Sequence, residues 1–153
     1  MDHVSLTEHF TLDEMTFSAT AAARGIDNSP SEQVTTNLTR LATTLEQIRH
    51  LLGDKPLTIT SGYRCPQLNA AIGGAQGSAH VIGLAADFVC PDFGTPKAIC
   101  DFLVPHMQEL GIDQLINEIN GSGGKWVHVG LNVDQPRYMA MTISPAGTQM
   151  GIV

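Results

Sequence analysis

Residues 114–131 read Q-L-I-N-E-I-N-G-S-G-G-K-W-V-H-V-G-L. Two stretches rich in apolar and β-branched residues flank N-G-S-G-G, a run of residues that favours tight turns. Strand, turn and strand is the reading, which makes the pair an antiparallel hairpin. With the turn centred near Gly123, residues whose numbers sum to about 246 stand opposite one another, which puts Glu118 across from His128 with Cβ atoms ~4.5–5.5 Å apart. A slip of one residue would turn Glu118 to the opposite face.

Working outward, further short strands are expected at 57–61, 84–89 and 138–143, most of them bounded by Gly, Pro or Asn. The clearest helix is expected over 30–52, where Val34, Leu38, Leu41, Leu45, Ile48 and Leu52 recur at steps of four and three. Ser29-Pro30-Ser31-Glu32 is read as its start, with Ser29 the cap and Pro30 the first helical residue, and Gly53 as its stop. Thr11-Leu12-Asp13-Glu14 reads as a capping box opening a short helix. Another short helix runs from Ser18 to Arg24 and ends at Gly25. One more follows Pro66, with Leu68, Ala71 and Ile72 inward and Gly73-Gly74 ending it. Thr95-Pro96 opens a helix carrying Ile99, Phe102 and Leu103, which Pro105 breaks or kinks. Helices first and a mainly antiparallel central sheet afterwards is an α+β arrangement, expected as one domain over 1–153.

Composition narrows the function classes. The chain has 153 residues, of which 42% are hydrophobic and 15% charged, enough apolar material for a packed core. Net charge is −7, from 15 acidic against 8 basic residues, with no basic cluster of the kind that grips nucleic acid. No apolar run approaches the ~20 residues that span a bilayer, so membrane insertion is not expected. The first ten residues lack a basic segment and an apolar core, so no secretory signal is expected and synthesis in the cytoplasm is. Cys65, Cys90 and Cys100 sit at no metal-like spacing and read as buried free thiols.

Six histidines are present. His3 and His9 lie near the terminus, and His50 and His106 fall in helical stretches, where capping or solvated roles are the default. His80 and His128 differ. The stretch 78–87, S-A-H-V-I-G-L-A-A-D, takes His80 out of a small-residue loop and runs into a strand that holds Asp87. His80, Asp87 and His128 together offer two imidazoles and a carboxylate with one position left open, the donor set of a catalytic zinc site. Spacing alone leaves a satisfied polar pair as the competing reading. Against it, Leu84, Ala85, Ala86, Phe88 and Val89 surround Asp87, and a buried carboxylate needs a partner or a metal. The small residues Gly83, Ala85 and Ala86 let neighbouring backbone approach closely. Glu118 opposite His128 is placed to carry a proton beside the metal rather than bind it; a solvated strand residue is the alternative. In T-S-G-Y-R-C-P-Q-L-N (60–69), Arg64 sits where a strand gives way to a helix. There it either grips a carboxylate in bidentate fashion or forms a structural salt bridge.

The segments S-G-Y-R-C-P-Q-L-N, G-G-A-Q-G-S-A-H-V-I-G-L-A-A-D-F, D-Q-L-I-N-E and W-V-H-V-G occur in that order. With the N-terminal L-T-E-H-F-T-L-D-E-M-T and A-A-R-G-I-D-N, they resemble the zinc D-Ala-D-Ala carboxypeptidase family, and more narrowly its phage- and prophage-encoded branch. The resemblance covers roughly residues 5 to 135. It implies Zn2+ on His80, Asp87 and His128, Arg64 holding a carboxylate of the substrate, and Ser78 lining the substrate site. One departure stands out. Many relatives place the general base three residues before the last histidine, a position held here by Lys125; the branch with Q-L-I-x-E supplies Glu118 instead, in agreement with the hairpin.

The fold so implied is a small α+β domain of the hedgehog/DD-peptidase-like kind. The implied activity is hydrolysis of an amide bond in the peptide stem of bacterial peptidoglycan, by a D,D-carboxypeptidase or a stem endopeptidase. Such an enzyme reaches the cell wall after holin-type release or as a virion component. Two other readings stay open: a wall-binding or phage structural module that keeps the zinc without turnover, and a purely structural metal site. The latter needs a fourth protein ligand, for which His106 or a cysteine is the candidate.

Overall fold

In the computed structural model, residues 4–153 are described; His3 and the first residues of the expected 1–153 unit lie outside them. The long helix α3 spans Glu32–Leu51 and buries Leu38, Leu41, Leu45 and Ile48 completely, the stripe its spacing foretold. Each such side chain removed from water contributes ~1.5–3 kcal/mol, so this one face is a main source of cohesion. Its start differs from the sequence reading. Ser31, not Ser29, is the cap, its hydroxyl accepting from the Val34 N–H at 3.2 Å. Ser29 instead turns back on Asp27, with both its N–H and its hydroxyl donating to Oδ1. A local Asp–Ser turn competes with helix initiation there and wins.

The short helices α1 (Leu12–Thr16) and α2 (Ala19–Arg24) precede it, the first opened by the expected Thr11–Glu14 capping box, the second capped by Ser18 and stopped by Gly25. β1 (Thr58–Ser61) leads into α4 (Pro66–Ala71), where Leu68 is buried but Ile72 is exposed, contrary to expectation. The helix ends at Ala71, so Ile72 falls past the last full turn and leaves the apolar face. A 3₁₀ turn over Ala79–Ile82 feeds β2 (Ala85–Val89). α5 (Pro96–Leu103) buries Ile99, Cys100 and Leu103 while Phe102 is partly exposed, and Pro105 lies in a 3₁₀ turn that separates α5 from α6 (Met107–Leu110). β3 (Gln114–Ile119), β4 (Lys125–Gly130), β5 (Met139–Ser144) and β6 (Gly147–Met150) complete the chain. β6 has no counterpart in the sequence reading: all four of its residues are exposed, so it carries no apolar alternation. No helix among the described residues is long and apolar enough to cross a membrane.

The strands form one six-stranded sheet in the order β1-β2-β4-β3-β5-β6, antiparallel at every step except β3–β5. The α+β reading is therefore the observed fold. Period-two alternation divides the sheet into two faces. Ala86, Phe88, Leu115, Val127 and Val129 face the core, which they share with the α3 stripe and with Ile99 and Leu103 of α5. Asp87, His128, Trp126, Ile116 and Glu118 share the other face, which no long helix covers.

The hairpin register needs one correction. Glu118 pairs with Trp126 and Ile116 with His128, so opposed residue numbers sum to 244, not 246. The turn is centred on Ser122 because Asn120 closes it: its side chain accepts from the N–H groups of Ser122 and Gly124, and its own N–H donates to the Gly124 carbonyl. A shift of two in the sum preserves the face, so Glu118 stays on the side of His128 but lies diagonal to it.

Candidate metal centre

His80, Asp87 and His128 come together from three places: the 3₁₀ turn, the middle of β2 and the middle of β4. Asp87 and His128 are direct cross-strand partners. All three are buried, and one ligand atom from each lies within 4.8 Å of the other two. His80 is oriented by the backbone: its Nδ1 lies 2.7 Å from the Gly62 carbonyl oxygen. A carbonyl only accepts, so Nδ1 carries the proton and Nε2 presents a lone pair toward Asp87 Oδ1, 3.3 Å away. Gly62 reaches this place because it lacks a side chain; a Cβ there would lie 2.2 Å from the Met15 carbonyl oxygen. Gly83 does the corresponding work after the turn. Its φ of +79° lets the chain reverse, and an added Cβ would press on Val34 at 3.0 Å.

The electrostatics prepare the trio for a cation. Burial lowers the His80 pKa, against the opposing pull of Asp87, so the imidazole is neutral at pH 7 and free to donate its lone pair. Burial alone would raise the Asp87 carboxyl, but the His128 hydrogen bond and the neighbouring His80 ring outweigh it and hold Asp87 ionised well below the usual carboxylate range. The geometry fits a metal ion. Two atoms each ~2.0–2.1 Å from one tetrahedral ion stand ~3.3 Å apart. Here His80 Nε2 and His128 Nδ1 lie 3.3 and 3.0 Å from Asp87 Oδ1. Two imidazoles and one carboxylate are also the donor types that zinc takes.

Among the described residues the group has three members and no fourth ligand. His106, offered as a fourth, is bonded to Glu109 and is not in the group. Cys65, Cys90 and Cys100 are free thiols outside it, and burial pushes the Cys100 thiol up to about 12. Of the three, Cys65 is only half-buried, where it caps α4. The open fourth position is the arrangement of a catalytic site, not a structural one.

Glu118 stands beside the group without joining it, Oε1 3.8 Å from His128 Nδ1. Burial raises its pKa and the Asp87 charge raises it further, while His128 and Arg64 pull the other way. A carboxyl so poised takes up and gives back a proton near neutral pH more readily than an exposed one. Arg64 lines the same cleft as Ser78 and the trio. Its backbone N–H donates to the His80 carbonyl at 3.0 Å and its Nη2 approaches Ser78 Oγ at 3.5 Å, while its buried Nε has no partner. No carboxylate of the described residues lies within ion-pair distance of the guanidinium, which leaves it available to an incoming anion. The cleft itself measures about 770 Å³ and runs along the open face of the sheet.

Sequence reasoning missed three contributors. Asn28 clamps the strand-to-helix junction around Arg64: its amide donates to the Thr16 and Tyr63 carbonyls, and its Oδ1 accepts from the Cys65 N–H at 2.7 Å. The Gly62 carbonyl was invisible because a backbone group has no residue signature. Trp126, quoted beside His128 but given no place, lines the cleft next to Glu118; its alternation with His128 was the available signal.

Comparison with known proteins gives two matches. A family model described as Peptidase M15 matches residues 8–129. A zinc D-Ala-D-Ala carboxypeptidase of Streptomyces albus G is 46% identical over 43 residues, a segment that is 28% of this chain and 17% of that relative.

Proposed function

Because the chain belongs to the peptidase M15 family, we propose that it is a zinc-dependent peptidase that hydrolyses an amide bond in the peptide stem of bacterial peptidoglycan. The observation that carries the reading is the convergence of three buried ligands, one open position and a raised Glu118 carboxyl in one cleft. The curated match to a zinc D-Ala-D-Ala carboxypeptidase supports the choice of metal and substrate. In this reading His80 Nε2, Asp87 Oδ1 and His128 Nδ1 hold Zn2+. When bound there, the ion supplies Lewis-acid chemistry, polarising a carbonyl oxygen and acidifying water.

The chain's own residues do the rest. Arg64 grips a carboxylate of the stem through its free donors, with Ser78 beside it, and so fixes which amide lies over the cleft centre. Glu118 takes a proton from the attacking water as the new C–O bond forms, then delivers it to the departing nitrogen as the C–N bond breaks. Grip on a carboxylate favours a D,D-carboxypeptidase or a stem endopeptidase. Residues 1–153 act as one catalytic domain, and the setting is phage lysis or tail-associated wall degradation, reached through holin-type release or as part of a virion. Glu118 and the open ligand position count against a wall-binding module without turnover.

The test is mass spectrometry of fragments released from defined peptidoglycan by chelated and zinc-reconstituted protein. Stem fragments shortened at one amide bond, appearing only with zinc, are expected. Equal digestion by the chelated sample refutes the zinc mechanism; intact stems in both refute the peptidase.

A further inference from the structure

Among the described residues that line the cleft are two arginines, Arg64 and Arg137, and no lysine. In the sheet order they lie on opposite sides of the trio. Arg64 stands just past β1 and Arg137 just before β5, with Asp87 and His128 on the strands between. Arg64 already has a part in the reaction, and Arg137 has none. It lies beyond residue 129, where the family match ends.

Arg137 is held in place, unlike a loose surface charge. Asp113, just before β3, is buried, and its carboxylate accepts from the Arg137 backbone N–H at 2.8 Å, from Nε at 2.9 Å and from Nη2 at 2.7 Å. That grip fixes one edge of the guanidinium. A guanidinium carries five N–H donors and two go to Asp113, so three remain. The side chain is 54% exposed where it lines the cleft. An arginine pinned in this way loses little rotamer freedom when it takes up an anion. Asp113 cancels part of its charge, so selection comes from the directed donors more than from net attraction.

Strand geometry sets the distance. Asp113 lies three residues before Ile116, the residue of β3 that pairs with His128. At ~3.4 Å per residue along a strand and ~4.8 Å between strands, Asp113 sits roughly 11 Å from the His128 backbone. An extended peptide covers ~3.3–3.6 Å per residue, so that distance is about three residues.

We infer that Arg137, held by Asp113, is a specificity-determining anion site for the acyl side of the substrate, where it donates to a carboxylate carried about three residues back from the scissile bond. This role rests on the peptidase reading and adds to it the charge pattern of the preferred ligand: a peptide with one carboxylate for Arg64 and a second for Arg137. A grip at two points across the metal centre fixes the direction of the chain as well as its place. Binding energy gathered this far from the scissile bond positions the amide.

Synthetic stem peptides sharing one scissile bond and a free terminal carboxylate provide the test, with glutamate, glutamine or lysine as the third residue back on the acyl side. For the zinc-loaded protein, kcat/KM for the glutamate peptide is expected to exceed that for the glutamine peptide about 3- to 10-fold, between the values for exposed ion pairs and for buried bonds to a charged group. The lysine peptide should fall below both. Arg137→Gln should erase the preference for glutamate over glutamine, and Arg137→Glu should turn it toward lysine. Trp126 is the single tryptophan and lines the cleft, so its fluorescence reports binding of the same peptides to chelated protein without turnover.

A parent protein indifferent to glutamate overturns the anion site. So does a preference that survives Arg137→Gln because all peptides weaken alike, which leaves Arg137 as a fastening for β5. Charge-selective binding without cleavage keeps the anion site and overturns the peptidase reading. Neither binding nor cleavage overturns both.

Discussion

Replacing Glu118 by glutamine separates proton transfer from metal binding. Glutamine keeps the shape and the place on β3 beside Trp126 but cannot take a proton. Glu118 lies outside the three-ligand group, 3.8 Å from the nearest ligand atom, so zinc stoichiometry is expected to remain that of the parent protein. Turnover is not. A positioned acid–base group contributes about 10²–10⁴-fold, which at ~1.36 kcal/mol per tenfold is ~2.7–5.5 kcal/mol of barrier. The loss should fall on kcat, read by liquid chromatography–mass spectrometry of a cleaved stem peptide, with KM little changed. The parent's acid limb in kcat/KM should lie above the ordinary glutamate value of ~4.3, because burial and Asp87 raise this carboxyl. Stability should move the opposite way. A carboxyl whose folded pKa is raised opposes folding when ionised, so zinc-free Glu118→Gln should melt higher than zinc-free parent at pH 7. That difference should vanish below the ordinary glutamate range, where both states of the parent are protonated. More than about a tenth of the parent's kcat remaining would refute the acid–base role, and loss of zinc would make Glu118 a ligand instead.

Arg64→Ala should raise KM about 10- to 150-fold for a stem peptide with a free carboxylate, the value of ~1.5–3 kcal/mol for hydrogen bonds to a charged group; an unchanged KM would place Arg64 outside the substrate site. Gly62→Ala forces a Cβ to within 2.2 Å of the Met15 carbonyl oxygen. It should cost ~1–3 kcal/mol of stability and weaken zinc about 10- to 100-fold by disturbing the carbonyl that orients His80, as a competition titration with a chromophoric chelator would show. Asp113→Asn should cost ~1–3 kcal/mol, or about 2–12 °C in Tm, toward the lower end because Arg137 is half-exposed. Arg137 holds the Asp113 carboxyl below its ordinary range. Its contribution is therefore present above pH ~3.9 and lost as pH falls through the lower folded value, so parent and variant should converge in acid.

The sequence made the sheet legible where burial imposed a pattern. Strands β1 to β5 and the α3 stripe carry apolar residues at the period of their own geometry, and their ends were placed within a residue or two. The face shared by Glu118 and His128 was legible for the same reason, since parity survives an even register shift. What could not be read depended on single hydrogen bonds. The Asn120 turn moved the hairpin centre from Gly123 to Ser122, and the Asp27–Ser29 turn moved the helix cap to Ser31. β6 escaped because a fully exposed edge strand has no alternation to betray it. His80, Asp87 and His128 were visible as residue types beside a buried strand, but the Gly62 carbonyl that aims His80 and the Asn28 clamp around Arg64 exist only in three dimensions.

The most direct test titrates zinc into chelated protein while following both bound metal and cleavage of a peptidoglycan stem peptide in one sample. Cleavage should appear in proportion to bound zinc and saturate at one equivalent, and Asp87→Ala should abolish both together. Cleavage before zinc is added, or undiminished in Asp87→Ala, would contradict the His80–Asp87–His128 centre as the seat of the reaction.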